Sequence, residues 1–324
     1  MKIEAREEIW PLKQPFRIAR GTRNEARVVV VTVSDGQYMG RGEAVPLARY
    51  GQSAASVLAQ IESIKSAPSL DRQQIQKLLP AGAARNALDC ALWDLEAKIS
   101  GKRAWELANI STVPEVETSF TISLDTPVAM ATAARANANA PILKLKLGGD
   151  KLDLPRVEVV REAAPAARLL IDANESWSPS HYRDIVPKLK GLGVELIEQP
   201  FPANADEVLE TLEHPVPVCA DESCHTSVDL PRLTNRYEVL NLKLDKTGGL
   251  TEALVLTERA RQDGFKLLLG CMVCTSLGIA PARLLASATD YVDLDGPLLL
   301  AGDRHHGIPY ENGRIGIPAR ELWG

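Results

Sequence analysis

The chain has 324 residues, 45% of them apolar, and 37 Lys and Arg set against 42 Asp and Glu give a formal net charge of −5. That is ample for a large core in one or two domains; the lack of a basic run argues against nucleic acid as a partner, and no stretch reaches the ~20 apolar residues that span a bilayer. Met1–Trp10 is charged and holds no apolar stretch of leader length, and the odd count of five cysteines reads as reduced thiols of a cytoplasmic protein.

Residues 1–116 read as an α+β unit. Residues 1–10, 27–34 (with four valines at 28–31) and 38–44 have strand character, and Ser34-Asp35-Gly36-Gln37 supplies a turn, so a meander is expected. Helical patterns follow at 54–65, 71–79 and 83–99, the last stopping at Gly101. From Glu117 the rhythm becomes alternating strand and helix. Apolar strand-like runs fall near 118–124, 142–147, 168–173, 194–199, 216–221, 238–244, 265–271 and 291–295. Helical segments fit between most of them, at 127–137, 155–163, 179–190, 251–263 and 277–287. The fold class is therefore α/β: eight strand–helix beats predict a modified (β/α)8 TIM barrel over 117–300, its eighth helix short or replaced. Residues 301–324 are expected to return to and complete the N-terminal α+β capping domain. A doubly wound open sheet is the alternative, but no glycine-rich phosphate loop follows the first strand of either region.

Barrel chemistry gathers at the C-terminal ends of the strands. Asp172, Glu198 and Asp221 close three successive predicted strands, 26 and 23 residues apart. Clustered carboxylates repel unless a cation joins them, and an all-oxygen set suits Mg²⁺. Alternation turns Lys144 and Lys146 to one face of the second strand. On the sixth it groups Asn241, Lys243 and Asp245 and sends Lys246 to the other face. Strands two and six are diametrically opposed in a ring of eight, so Lys146 and Lys243 are expected to face each other across the cation. That arrangement suits removal of a proton beside a carboxylate from one face and its return to the other, through an enediolate stabilised by the metal. A lysine base needs its pKa lowered toward ~7–8 by burial and nearby positive charge, which Lys144 and the metal are expected to supply. Asn174, two residues after Asp172, faces the same way and is a candidate for orienting a ligand or water. Cys271 and Cys274 form a C-x-x-C without a second pair, a weak signal for zinc or redox chemistry. Trp93 and Trp177 read as packing residues, and His225, His305 and His306 as surface or loop residues.

Taken together, "LKLKLGG" (Lys144, Lys146), "LIDANESW" (Asp172), "IEQPFP" (Glu198), "CADESCHT" (Asp221), "LNLKLDKTGG" (Lys243) and "DLDGP" resemble the enolase superfamily, specifically its muconate-lactonising subgroup, over essentially the whole chain. Within it the pattern is most similar to dipeptide epimerases of the L-Ala-D/L-Glu type. The resemblance implies Mg²⁺ as cofactor, a small dipeptide as the only expected partner besides a compatible homo-oligomer, and a place in murein peptide metabolism. It implies that Asp293 and Asp295 receive the substrate's ammonium, and that a mobile loop from the capping domain, Phe16–Arg23, closes the site with a second loop near Tyr50. An arginine of the first loop would pair with the glutamate side chain: Arg23, with Arg20 next. Where many subgroup members carry an acid, this chain has Cys274. Other readings on the same scaffold are an N-acylamino-acid racemase, an o-succinylbenzoate synthase, a cycloisomerase or a non-catalytic binding protein. A metal-dependent hydrolase would call for H-x-H on the first barrel strand, and Ser119–Ser123 contains no histidine.

Overall fold

A computed structural model describes residues 1–67 and 70–324. The chain opens with an antiparallel sheet of β1 (Lys2–Ile18), β2 (Gly21–Asp35) and β3 (Tyr38–Ala44). β1 and β2 pair from Lys2↔Ser34 to Ile18↔Gly21, with a break in register between Pro11 and Phe16. The segment 16–23, expected as a loop, is thus the tip of a long hairpin, with Phe16 opposite Arg23. The four-valine run in β2 has a simple cause: both faces of the sheet are covered. Val29, Val31 and Val33 pack with α1 (Ala54–Ile64), α2 (Arg72–Leu78) and α3 (Ala83–Ser100), while Val28 and Val30 join the core shared with the barrel. Ser53 and Asp71 cap α1 and α2 through backbone N–H groups, and Gly101 ends α3 in the left-handed conformation (φ 72°). The short α4 (Ala104–Leu107) and β4 (Val116–Glu117) lead into the barrel.

The barrel strands are β5 (Ser119–Ile122), β6 (Ile142–Lys146), β7 (Arg168–Asp172), β8 (Val194–Glu198), β9 (Val218–Ala220), β10 (Val239–Leu242), β11 (Lys266–Gly270) and β12 (Tyr291–Asp293). They form one parallel eight-stranded sheet in sequence order. Its helices are α5 (Pro127–Ala136), α6 (Asp153–Ala163), α7 (Pro179–Gly191), α8 (Leu230–Leu233), α9 (Leu244–Thr247), α10 (Leu250–Gln262) and α11 (Ser276–Ala282). Between β8 and β9, where the sequence predicts no helical segment, the connection is a 3-10 turn (Asp206–Thr211); Pro200, Pro202, Pro215 and Pro217 flank it and withhold helical donors. Pro281 likewise shortens the expected 277–287 helix, which ends as a 3-10 turn. At the seam, side chains stitch β12 to β5: Thr121 N donates to Asp295 Oδ2 (2.6 Å) and Leu294 N to Thr118 Oγ1 (2.9 Å).

The C-terminal stretch makes β13 (Tyr310–Glu311) and β14 (Arg314–Ile315), which pairs with β4. It then returns to α3, where Trp323 Nε1 donates to Cys90 O (3.0 Å) and Gly324 N to Asp94 Oδ1 (2.7 Å). Trp93 and Trp177 are buried.

Candidate active site

Ile142, Leu170, Leu196, Cys219, Val239 and Leu268 point into the barrel and form an apolar plug. Side chains two residues further along each strand face the same way, so Lys144, Asp172, Glu198, Asp221, Asn241 and Gly270 make up the next layer. That layer is where the chemistry-bearing residues meet. Asp172, Glu198 and Asp221 are buried, and each offers a carboxylate oxygen within 4.8 Å of the others'.

One oxygen of each acid faces a lysine. Lys146 Nζ lies 2.5 Å from Asp172 Oδ2, Lys144 Nζ 2.5 Å from Glu198 Oε2, and Lys243 Nζ 2.6 Å from Asp221 Oδ2. The other oxygen is held by the scaffold. Asn174 N donates to Asp172 Oδ1 (2.9 Å), Asn241 Nδ2 to Glu198 Oε1 (2.8 Å), and Lys246 Nζ to Asp221 Oδ1 (2.7 Å). Burial alone would raise all three acids. For Asp172 the ammonium groups of Lys146 and Lys144 outweigh it and hold the carboxyl at about 2. Lys243 and Lys246 do the same for Asp221, well below its usual range. At Glu198 burial and the neighbouring Asp172 prevail, and its pKa is raised. Burial disfavours the Lys243 ammonium, yet Asp221 and Glu198 outweigh it and keep the proton on. Three converging carboxylates with no sulfur or nitrogen ligand are a hard-oxygen set that fits a divalent cation of the Mg²⁺ class. The lysines sitting on those oxygens mark the same point as favourable for positive charge.

The cavity above this layer, about 390 Å³, is lined by Lys144, Lys146, Asn174, Asp221, Lys243, Asp293 and Asp295 from the barrel. Phe16, Arg20, Arg23, Arg49 and Tyr50 line it from the capping domain. The hairpin tip is docked on the barrel, with Leu124 N donating to Arg17 O (3.0 Å) and Arg17 paired with Asp125 (2.7 Å). Arg20 is already committed to Glu222 (2.6 Å) and Glu175 (3.0 Å), and Arg49 binds Glu175 through two donors (2.9 and 2.7 Å). Arg23, by contrast, has no carboxylate partner among the described residues, and burial and the neighbouring Arg20 lower its pKa. Glu175 and Asn174 both adopt positive φ (66° and 45°), a strained pair that aims the Glu175 carboxylate at the two cap arginines.

At the last strand the two acids differ. Asp293 accepts from Lys144 (2.7 Å) and Ser119, so its charge is already met inside the barrel. Asp295 accepts from Thr121, through its backbone N–H and its side chain, and no lysine or arginine pairs with it among the described residues. Burial and the adjacent Asp293 push its carboxyl up to about 6. Cys271 lines the cavity and Cys274 is buried below it, its thiol pushed well up by Cys271 and by burial. His225 packs edge-on against Tyr50, and His305 lies tilted against His306.

Residues 1–108 match the family described as mandelate racemase / muconate lactonizing enzyme, N-terminal domain, and residues 128–321 match the enolase C-terminal domain-like family. The chain belongs to the enolase superfamily. Among its relatives in that superfamily is the L-Ala-D/L-Glu epimerase of Escherichia coli K12, 47% identical over 97% of this chain and 98% of the relative. An N-acetyl-D-glutamate racemase from Pseudoalteromonas sp is 46% identical over 92% of this chain and 95% of the relative. An enolase family member from Agrobacterium tumefaciens with homology to dipeptide epimerases, solved with sodium and L-Ala-L-Glu, superposes with a TM-score of 0.97 at 48% identity, covering 99% of both chains. This enolase superfamily member is an isomerase of the racemase and epimerase class.

Sequence reading missed three parts of the site. An unbroken strand through residue 244 would put Lys246 on the outer face. Instead the strand stops at Leu242 and α9 turns Lys246 back onto Asp221, while Asp245 leaves the face of Asn241 and Lys243 to accept from Val45 N (2.8 Å) and Asn86 Nδ2 (2.9 Å). Helical spacing in "LKLDKTGG" was the available signal. Glu222, beside Asp221, and the Arg49–Glu175 pair depend on how the two domains meet, for which the chain carries no local sign.

Proposed function

We propose that this enzyme epimerises dipeptides of the L-Ala-D/L-Glu type at the Cα of the C-terminal residue, one of Lys146 and Lys243 removing the proton from that carbon and the other delivering a proton to its opposite face. The observation that carries this reading is the placement of the two lysines. They arise from β6 and at the end of β10, four strands apart in the ring, and line one cavity with the three acids between them. The acids Asp172, Glu198 and Asp221 would hold Mg²⁺, which when bound supplies positive charge to the substrate carboxylate and so favours loss of the adjacent proton. The lysine that is a neutral amine takes the Cα proton on its face, the opposing ammonium gives a different proton to the other face, and the planar enediolate between the two transfers carries no memory of configuration. Phe16, whose ring centroid lies 5.9 Å from Lys146 Nζ, walls the base from water. Arg23, which has no carboxylate partner among the described residues, meets the glutamate side-chain carboxylate, while Arg20 stays with Glu175 and Glu222.

The relatives leave two substrate classes in view, a dipeptide with a free ammonium and an N-acetylated glutamate. Asp295 favours the first. A buried carboxylate that faces the cavity without a cation of its own suits an ammonium and would repel an acetyl oxygen. Murein peptides would be the source of such dipeptides. The test is proton NMR in D₂O with Mg²⁺, following exchange at the glutamate Cα of L-Ala-L-Glu, L-Ala-D-Glu and N-acetyl-D-glutamate. Exchange of both dipeptides is expected, and with Asp295→Asn the loss should fall on the dipeptides. Failure of both dipeptides to exchange would refute the proposal; exchange of the N-acetyl compound alone would establish the second reading.

A further inference from the structure

Lys246 is buried in the barrel (1% exposed) yet does not line the cavity. Its ammonium has three N–H groups, and all three are spent: on Asp221 O (2.5 Å), Asp221 Oδ1 (2.7 Å) and Asn241 O (2.9 Å). With no donor left over and no path to the cavity, it cannot exchange a proton with a substrate. What it touches defines its work. The ladders that flank β9 are the shortest in the barrel: β9 meets β10 only at Cys219↔Val239 and Ala220↔Leu240, and β8 only at Val218↔Ile197 and Cys219↔Glu198. Beyond Ala220 no sheet bond to β10 holds Asp221. Lys246 fills that place, joining the carbonyls of Asp221 and Asn241 across the strand ends. By occupying Oδ1 it also leaves Asp221 a single oxygen, Oδ2, turned toward the cluster. Asp172 and Glu198 are held in the same half-occupied way by Asn174 N–H and Asn241 Nδ2, but Lys246 is the only one of the three donors that is charged.

We propose that Lys246 is a positioning residue for the metal site: it fixes Asp221 as a one-oxygen ligand and ties the ends of β9 and β10 so that the acids converge. The inference rests on the reading of Asp172, Glu198 and Asp221 as the Mg²⁺ ligands. It makes a prediction opposite in sign to simple electrostatics. Removing a cation beside the site should tighten Mg²⁺ binding if charge alone matters; loss of an orienting partner should weaken it ~10–100-fold.

The experiment is calorimetric titration of MgCl₂ into the chelator-treated protein, as parent, Lys246→Met and Lys246→Gln, with circular dichroism to verify folding. Weaker binding by ~10–100-fold in Lys246→Met, partly recovered in Lys246→Gln, is expected. Equal or tighter binding in a folded Lys246→Met protein overturns the proposal, as does a fall in thermal stability with unchanged Mg²⁺ affinity, which would mark a purely structural role. If the parent itself fails to bind Mg²⁺, the metal reading falls instead, and the two failures are thereby distinguished. A crystal structure of the parent with Mg²⁺ decides the matter if the variants do not fold: Lys246 Nζ should stay on Asp221 Oδ1 with Oδ2 on the ion. A two-oxygen Asp221, or Lys246 turned away, overturns it.

Discussion

Gly270 gives a direct test of how tightly the polar layer is packed. It occupies the layer position on β11, and a Cβ there would fall 2.4 Å from Asn241 Oδ1 and 2.9 Å from both Asn241 Nδ2 and Lys243 Cε. Those contacts are roughly 1 Å short of ordinary van der Waals separation, so Gly270→Ala must displace side chains. The atoms in the way are the ends of flexible side chains rather than backbone, so the damage should fall on the site and largely spare the fold. Asn241 would move off Glu198 Oε1, which it now holds at 2.8 Å, and Lys243 would shift from the position proposed for proton transfer. A misplacement of about 1 Å costs ~10²-fold in rate, or about 2.7 kcal/mol in the barrier, whereas overpacking costs ~1–3 kcal/mol of stability. Exchange at Cα of L-Ala-L-Glu in D₂O, measured beside urea unfolding, separates the two effects. A Gly270→Ala enzyme with exchange within threefold of the parent would show that the layer has slack, and the argument for a tightly set Lys243 would fail.

Three further outcomes are expected. Lys146→Ala and Lys243→Ala should each abolish epimerisation, yet each should retain exchange of one of the two diastereomers, the opposite one in each case; loss or survival of the same diastereomer in both would place the lysines on one side. Arg23→Ala should raise KM for dipeptides ending in glutamate by ~10-fold or more, the worth of a charge-assisted pair, and leave L-Ala-L-Leu little affected; an equal loss for both would remove Arg23 from substrate recognition. For Asp245, burial pushes the carboxyl up to about 7 against the bonds from Val45 and Asn86. Between its unfolded value near 4 and about 7, the folded protein keeps a proton that the unfolded chain has released, so stability falls as pH rises through that window. Asp245→Asn keeps an oxygen for both donors and should be more stable than the parent at pH 8 by ~1–4 kcal/mol, with the gain shrinking toward pH 5; urea unfolding with identical pH dependence in the two proteins would refute it.

The barrel was legible because its signals are local. Each of Asp172, Glu198 and Asp221 ends or follows a short apolar run, and period-two alternation carries the core plug directly up to the acids. The lysine pair was legible for the same reason, once strand count placed β6 opposite β10. What failed was any reading that depended on where a strand stops. Lys246 and Asp245 changed sides because α9 begins at Leu244. The resemblance implies a loop over 16–23, yet beyond the break between Pro11 and Phe16 the chain resumes its pairing, from Phe16↔Arg23 to Ile18↔Gly21. The cap-to-barrel ion pairs could not be read at all, since Arg20 and Glu175 are 155 residues apart.

That division has a functional consequence. The groups proposed for proton transfer and metal binding all stand on barrel strands or the turns that end them, braced by short hydrogen bonds in a buried layer. The groups proposed to choose the substrate are split between the cap hairpin and the seam where β12 meets β5. Arg20 and Arg49 bind the same Glu175 carboxylate, so the two cap segments that line the cavity share one anchor on the barrel. On the proposed reading, selectivity for the side chain would change at Arg23 without disturbing the acids, and selectivity for the amino end at Asp295, whose backbone contact to Thr121 a neutral Asn would preserve. An N-acetylated substrate asks for a different partner at that second position alone. The relatives named for a dipeptide and for N-acetyl-D-glutamate, 47% and 46% identical to this chain, are then expected to share the layer of acids and lysines and to differ around Asp295.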